Sequence, residues 1–140
     1  MNAITPIVRI WFIGKDDIDE YWFYVLPLLE KAVRRGNPRI SLESTHQLLK
    51  EGYAQLFIAK VNCEVKAACV TSFTNYPATR MLTITLCGGV DMHQWLADGM
   101  HFIEETAKLN GCSGVEAIGR RGWIRALGMQ ERSVVCERLF

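Results

Sequence analysis

From Ala54 to Gly88 the chain is rich in apolar and β-branched residues and is interrupted only twice, at Asn62-Cys63-Glu64 and at Tyr76-Pro77-Ala78. Both interruptions are short enough for hairpin connections. Ala54–Val61, Val65–Asn75 and Thr79–Gly88 are therefore expected to form three strands of an antiparallel meander. In the third, alternation sends Leu82, Ile84 and Leu86 to one face and Thr83 and Thr85 to the other.

The flanking segments change period. Ile7 to Phe12 suits a strand closed by Gly14, and Asp16 and Asp17 supply a helix start with negative charge at the positive end of the dipole. Ile18, Trp22, Val25, Leu29 and Val33 then recur on one helical face, ending in Lys31, Arg34 and Arg35 before Gly36 and Pro38. Pro27 is expected to kink or divide this helix. A second helix is expected from Ser41 to Glu51, with Ser44 and Gln47 at capping-box spacing and Gly52 as its stop.

Met92 to Asn110 reads as the longest helix, with Trp95, Phe102, Ile103, Ala107 and Leu109 apolar and Gly111 at the left-handed cap. A strand at Gly114–Ile118, a short helix at Gly122–Leu127 ended by Gly128, and a final strand at Arg132–Phe140 complete the pattern. The expected fold is a mixed α/β sheet: an antiparallel meander, then a strand–helix–strand crossover, with helices on both faces.

Composition narrows the function. The 140 residues fit one domain spanning the chain, and 16 basic against 15 acidic residues give a net charge of +1. Apolar residues at 49% and charged residues at 22% exclude a disordered chain, and the charge balance argues against nucleic-acid binding. The longest apolar run, Tyr21–Leu29, is too short for a membrane span, and the amino terminus lacks secretion features. Five cysteines without a CxxC pair suggest free thiols and a cytoplasmic setting. His93 and His101 lie eight apart on one helix, a spacing that does not favour a metal site, and His46 has no partner visible in sequence.

The order of elements and two stretches, Ala107-Lys-Leu-Asn-Gly111-Cys112 and Trp123-Ile-Arg-Ala-Leu127-Gly128-Met129, resemble the GNAT acyltransferase superfamily. The first looks like the family's long helix ending in Ala-x-x-x-Gly, and the second like its short fourth helix. The small size, the two tryptophans of the first third (Trp11 and Trp22) and Gly119-Arg-Arg-Gly-Trp123 also resemble short GNAT-like proteins of tailed phages.

The resemblance implies acetyl-CoA bound where the fourth and fifth strands splay apart, and an amine acceptor that is a small molecule or a protein. It assigns Leu86, Cys87, Gly88, Gly89, Val90 and Arg120 to the cofactor. It also puts the pyrophosphate loop at Asp91–Leu96, where Asp91, Gln94 and Leu96 depart from the family's glycine-rich pattern. The usual proton-donating tyrosine falls on Ile124. Glu43, Thr83, Thr85 and Glu116 are conceivable polar groups of a cleft, and none is selected as a base. Arg120, Arg121 and Arg125 gather cations around the short helix, suited to a solvated surface, an anionic ligand or a partner. Tyr21 to Tyr24 are four aromatics of which about half can face the core, leaving a possible protein-partner surface. Two functions follow: an acetyltransferase with degenerate motifs, or a catalytically silent interaction or assembly protein of the same fold, with a phage particle as one setting.

Overall fold

Asn62 and Cys63 both adopt positive φ, 50° and 69°, and with Val61 paired to Glu64 they make the two-residue hairpin turn that suits twisted strands. That hairpin sits inside a computed structural model describing residues 5–119 and 121–140. The elements are β1 (Val8–Ile13), α1 (Ile18–Arg35), α2 (Leu42–Glu51), β2 (Gln55–Val61), β3 (Glu64–Asn75), β4 (Arg80–Gly89), α3 (Met92–Leu109), β5 (Gly114–Ala117) and α4 (Gly122–Leu127), with a short 3-10 turn at Lys15–Asp17. Among the described residues the sheet order is β1-β2-β3-β4-β5. The first four strands are antiparallel and β5 is parallel to β4, joined by the α3 crossover. This is the mixed sheet expected.

Helices cover both faces. Ile18, Val25 and Leu29 of α1 and Leu49 of α2 bury against Leu56, Ile58, Ala68, Val70 and Leu86. On the opposite face Ile103 and Ala107 of α3 bury against Phe57, Leu82 and Ile84, and Trp95 against Ala59, Val61 and Ala67. Pro27 does not divide α1, which runs unbroken through 18 residues. Its ring removes the N–H that would meet the Phe23 carbonyl, and both residues are exposed, so water can serve that carbonyl.

Three expectations are corrected. The α2 cap is Ser41, whose Oγ accepts from the Ser44 amide at 3.1 Å, while Gln47 donates instead to Glu51. Leu109 is 86% exposed, because it lies about 200° around the helix from buried Ala107. Arg132–Phe140 forms no strand: among the described residues it pairs with none of the five strands, the outer edge of β5 included, and Glu137 reaches back to Arg39 instead. No helix among the described residues is long and apolar enough to cross a membrane.

Candidate active site

The alternation of β4 is broken once. Val70 pairs with Leu86 and Thr71 with Ile84, so Thr85 is an extra residue, a β-bulge, and its hydroxyl donates to the Val70 carbonyl at 3.1 Å. The bulge corrects the shared face expected for Leu82, Ile84 and Leu86. Leu82 and Ile84 join the α3 cluster, whereas Leu86 joins the α1 cluster. An inserted residue reverses every side chain that follows it.

Just before this bulge the parallel ladder stops. The last β4–β5 pair is Ile84 with Ala117; β5 ends there, while β4 continues through Gly89 against β3 alone. The Val90 amide donates to the Lys66 carbonyl at 2.9 Å. Antiparallel pairing then alternates, so the amides and carbonyls of Cys87 and Gly89 face away from β3, toward the opening. A cleft of about 240 Å³ fills this opening. Ile118, Gly119 and Trp123 line one side, and Met92, Trp95 and Leu96 of α3 line another.

The two glycines are explained first by packing. A Cβ on Gly88 would lie 2.1 Å from the Leu28 carbonyl of α1, and one on Gly89 would lie 2.7 to 2.8 Å from the Lys66 carbonyl, Ala67 and the Trp95 ring. Leu86 turns its side chain into the α1 core. Val90 donates its amide to Lys66 and accepts Trp95 Nε1 on its carbonyl at 2.7 Å. Cys87 stands directly across from Cys69, and both line the cleft. The hydrogen bond to Cys87, reinforced by burial, pushes the Cys69 thiol up, while the same bond favours the Cys87 thiolate. Arg120 lies outside the described residues.

Asp91 opens α3 in a left-handed conformation, φ 53°. Its carboxylate does not stand alone: Lys66 donates to it at 3.1 Å and meets Glu64 at 3.3 Å. Asp91 first, then Glu64, raise the Lys66 pKa above the ordinary 10.5. A raised folded value means this contribution to stability is present below pH about 10.5 and is lost as pH rises through the folded value. Lys66 thus offsets the negative charge beside the expected phosphate loop. Replacing Lys66 by Ala leaves Asp91 and Glu64 without their shared cation and is expected to lower Tm slightly at low salt, with the effect shrinking as salt screens it. Calorimetry at two ionic strengths checks this.

Glu116 is the polar candidate that the fold equips best. Val115 and Ala117 face α3, so Glu116 points to the opposite face, that of α1. Its Oε1 accepts from Tyr76 Oη at 2.7 Å and from Thr83 Oγ1 at 2.8 Å, and Thr83 meets Thr74 at 2.6 Å. Glu116 first, then burial, raise the Tyr76 pKa. Among the described residues Oε2 has no hydrogen-bond partner. Glu43 lies exposed on α2, outside the cleft. Tyr76 carries no local sequence signal beyond its place in a turn, because its partner Glu116 lies 40 residues away.

Other sequence candidates lie elsewhere. His46 stacks on Trp22 at 4.0 Å and bonds Asp19 at 2.9 Å; the Lys50 hydrogen bond first, then that of His46, lower the Asp19 pKa. Arg121, at the start of α4, meets Glu131 at 3.8 Å, the compensation its unfavourable position requires. His93 and His101 are exposed, and among the described residues no three His, Cys, Asp or Glu side chains gather as metal ligands. Tyr21 and Trp22 pack on the core, whereas Phe23 and Tyr24 are 82% and 58% exposed.

No family model matches the sequence, and no curated protein matches it. Solved structures do match the fold. An aminoglycoside N-acetyltransferase in complex with CoA superposes with a TM-score of 0.70 at 14% identity, covering 99% of both chains. A ribosomal-protein-alanine N-acetyltransferase from Brucella melitensis biovar Abortus 2308 gives 0.67 at 15% identity, over 96% of this chain and 100% of that one. A predicted acetyltransferase from Clostridium acetobutylicum, with acetyl-CoA, gives 0.66 at 16% identity, over 95% and 96%. The chain therefore has the GNAT fold.

Proposed function

We propose that this protein is a GNAT-like acyltransferase that moves an acetyl group from acetyl-CoA to an amine. One observation carries the reading: β4 runs past its last pairing with β5 and leaves the backbone groups of Cys87 and Gly89 free along an apolar cleft. An arm of alternating amides and methylenes fits such an edge as an added strand. Leu86, Gly88 and Val90 back that edge, their own backbone groups turned to β3 and Trp95, and Arg120 is retained as a further cofactor contact. Acetyl-CoA supplies the activated thioester.

The chain's own residues do the remaining work. Glu116, held through Oε1 by Tyr76 and Thr83, lies not in the cleft lining but in the adjoining groove that shares Ile118, Gly119 and Trp123 with it. Its Oε2 takes the proton of the acceptor amine, relayed by water from the cleft. Thr85 fixes the bulge by tying β4 to the Val70 carbonyl of β3. With Ile124 at the place of the family's tyrosine, no α4 side chain is assigned to protonate a leaving thiolate; water would serve it, with the proton that Glu116 removed from the amine closing the balance. Acetyl-CoA at 100 times its dissociation constant is expected to add about 2.7 kcal/mol of stability, on the order of 8 °C in Tm. Absence of any thermal shift at millimolar acetyl-CoA sinks the reading.

A second reading is favoured by the exposed Phe23 and Tyr24, with Trp11 and Phe12 also exposed on the edge strand β1. It is a catalytically silent interaction or assembly protein, with a phage particle as one setting. A protein that ignores acetyl-CoA and loses a partner on Phe23→Ser/Tyr24→Ser substitution would establish it instead.

A further inference from the structure

Lys31 and Arg35 are the only charged residues lining the cleft, among the described residues, and no carboxylate lines it. They are four apart and share one edge of α1 with Leu28 and Ala32, the two residues seated on Gly88. Neighbouring cations are already committed: Arg34 to Glu30 at 2.6 Å, and Arg39 to Glu137. Among the described residues Lys31 and Arg35 have no acidic partner within ion-pair distance. They stand on the α1 face, the face to which Glu116 also points.

Resting on the acyltransferase reading, we infer that the acceptor is an amine carrying an anionic group, a carboxylate or a phosphate, which Lys31 and Arg35 hold. Arginine's planar fork and the lysine point charge both suit such oxyanions. The cleft follows β4 from Ile84 to Gly89, about 16 Å at ~3.3 Å per residue, which leaves room for an acceptor whose amine and anion lie several bonds apart. Two cations and no carboxylate oppose a polycationic acceptor. The same field favours the uncharged form of the attacking amine, easing its deprotonation.

Calorimetric titration of the CoA-saturated protein tests this with matched probes: glycylglycine against its C-terminal amide, and O-phosphoethanolamine against ethanolamine, with sisomicin as the polycation. The anionic member of at least one pair is expected to bind at least tenfold more tightly than its neutral match. Which pair responds separates carboxylate from phosphate. That preference is expected to vanish in Lys31→Glu/Arg35→Glu and to weaken in the milder Lys31→Gln/Arg35→Gln, with the CoA affinity of the Gln pair staying within about threefold of wild type at physiological salt, where longer-range charge effects are screened. Both side chains are exposed, so the variants should fold. Equal affinities within both pairs, no measurable binding of any probe, tighter binding of sisomicin, or loss of CoA affinity in the Gln pair would each overturn the inference. Failure of the wild type to bind CoA sinks the acyltransferase reading itself, a result separate from any of these.

Discussion

Gly88→Ala is expected to cost about 3 kcal/mol of folding stability, because a methyl group placed 2.1 Å from the Leu28 carbonyl must push α1 off the sheet. The obstacle is backbone, and it cannot rotate aside as a flexible side chain would. Gly89→Val meets a carbonyl, a strand residue and an indole ring at once and should be at least as damaging. Gly122→Ala is the control: a Cβ there meets nothing within 4 Å, its φ is not left-handed, and stability should rise slightly. Urea unfolding of the three variants measures these differences. A Gly88→Ala midpoint equal to that of wild type would show that α1 is not seated on the strand backbone.

Glu116→Gln is expected to lower acetyl transfer about 100-fold while leaving the acetyl-CoA thermal shift intact. The amide oxygen can still accept from Tyr76 and Thr83, so the network keeps its shape and only the proton-accepting charge is lost. Steady-state kinetics with saturating cofactor should show the loss in kcat. Full activity in this variant would remove Glu116 from the chemistry.

The fold was legible where chain-local signals decide it. The meander, the α1 stripe from Ile18 to Val33 and the glycine stop after α4 follow from periodicity and turn chemistry, which act within a few residues. The β4 bulge was not legible, because Thr85 continues the alternation of Leu82–Leu86 and only the register with β3 reveals the extra residue. The C-terminal segment alternates too, but a strand exists only with a neighbour, and sequence does not show whether it pairs with one.

The site divides in the same way. The double glycine was visible, yet its first cause, the approach of α1 and Trp95, is tertiary. Asp91 read as an obstacle to phosphates because its partner Lys66 sits 25 residues earlier, on another strand. Lys31 and Arg35 read as ordinary helix-end cations. Their place beside the cleft depends on where α1 docks, and no pattern along α1 encodes that.

The seat of α1 on Gly88 has a mechanical consequence. At Gly88 helix and strand meet backbone to backbone, with no compressible side chain between them, so this stretch of α1 is expected to follow the upper part of β4 closely. A ligand that widened the gap beyond Ile84 by shifting this part of β4 would therefore be expected to displace Lys31 and Arg35 as well.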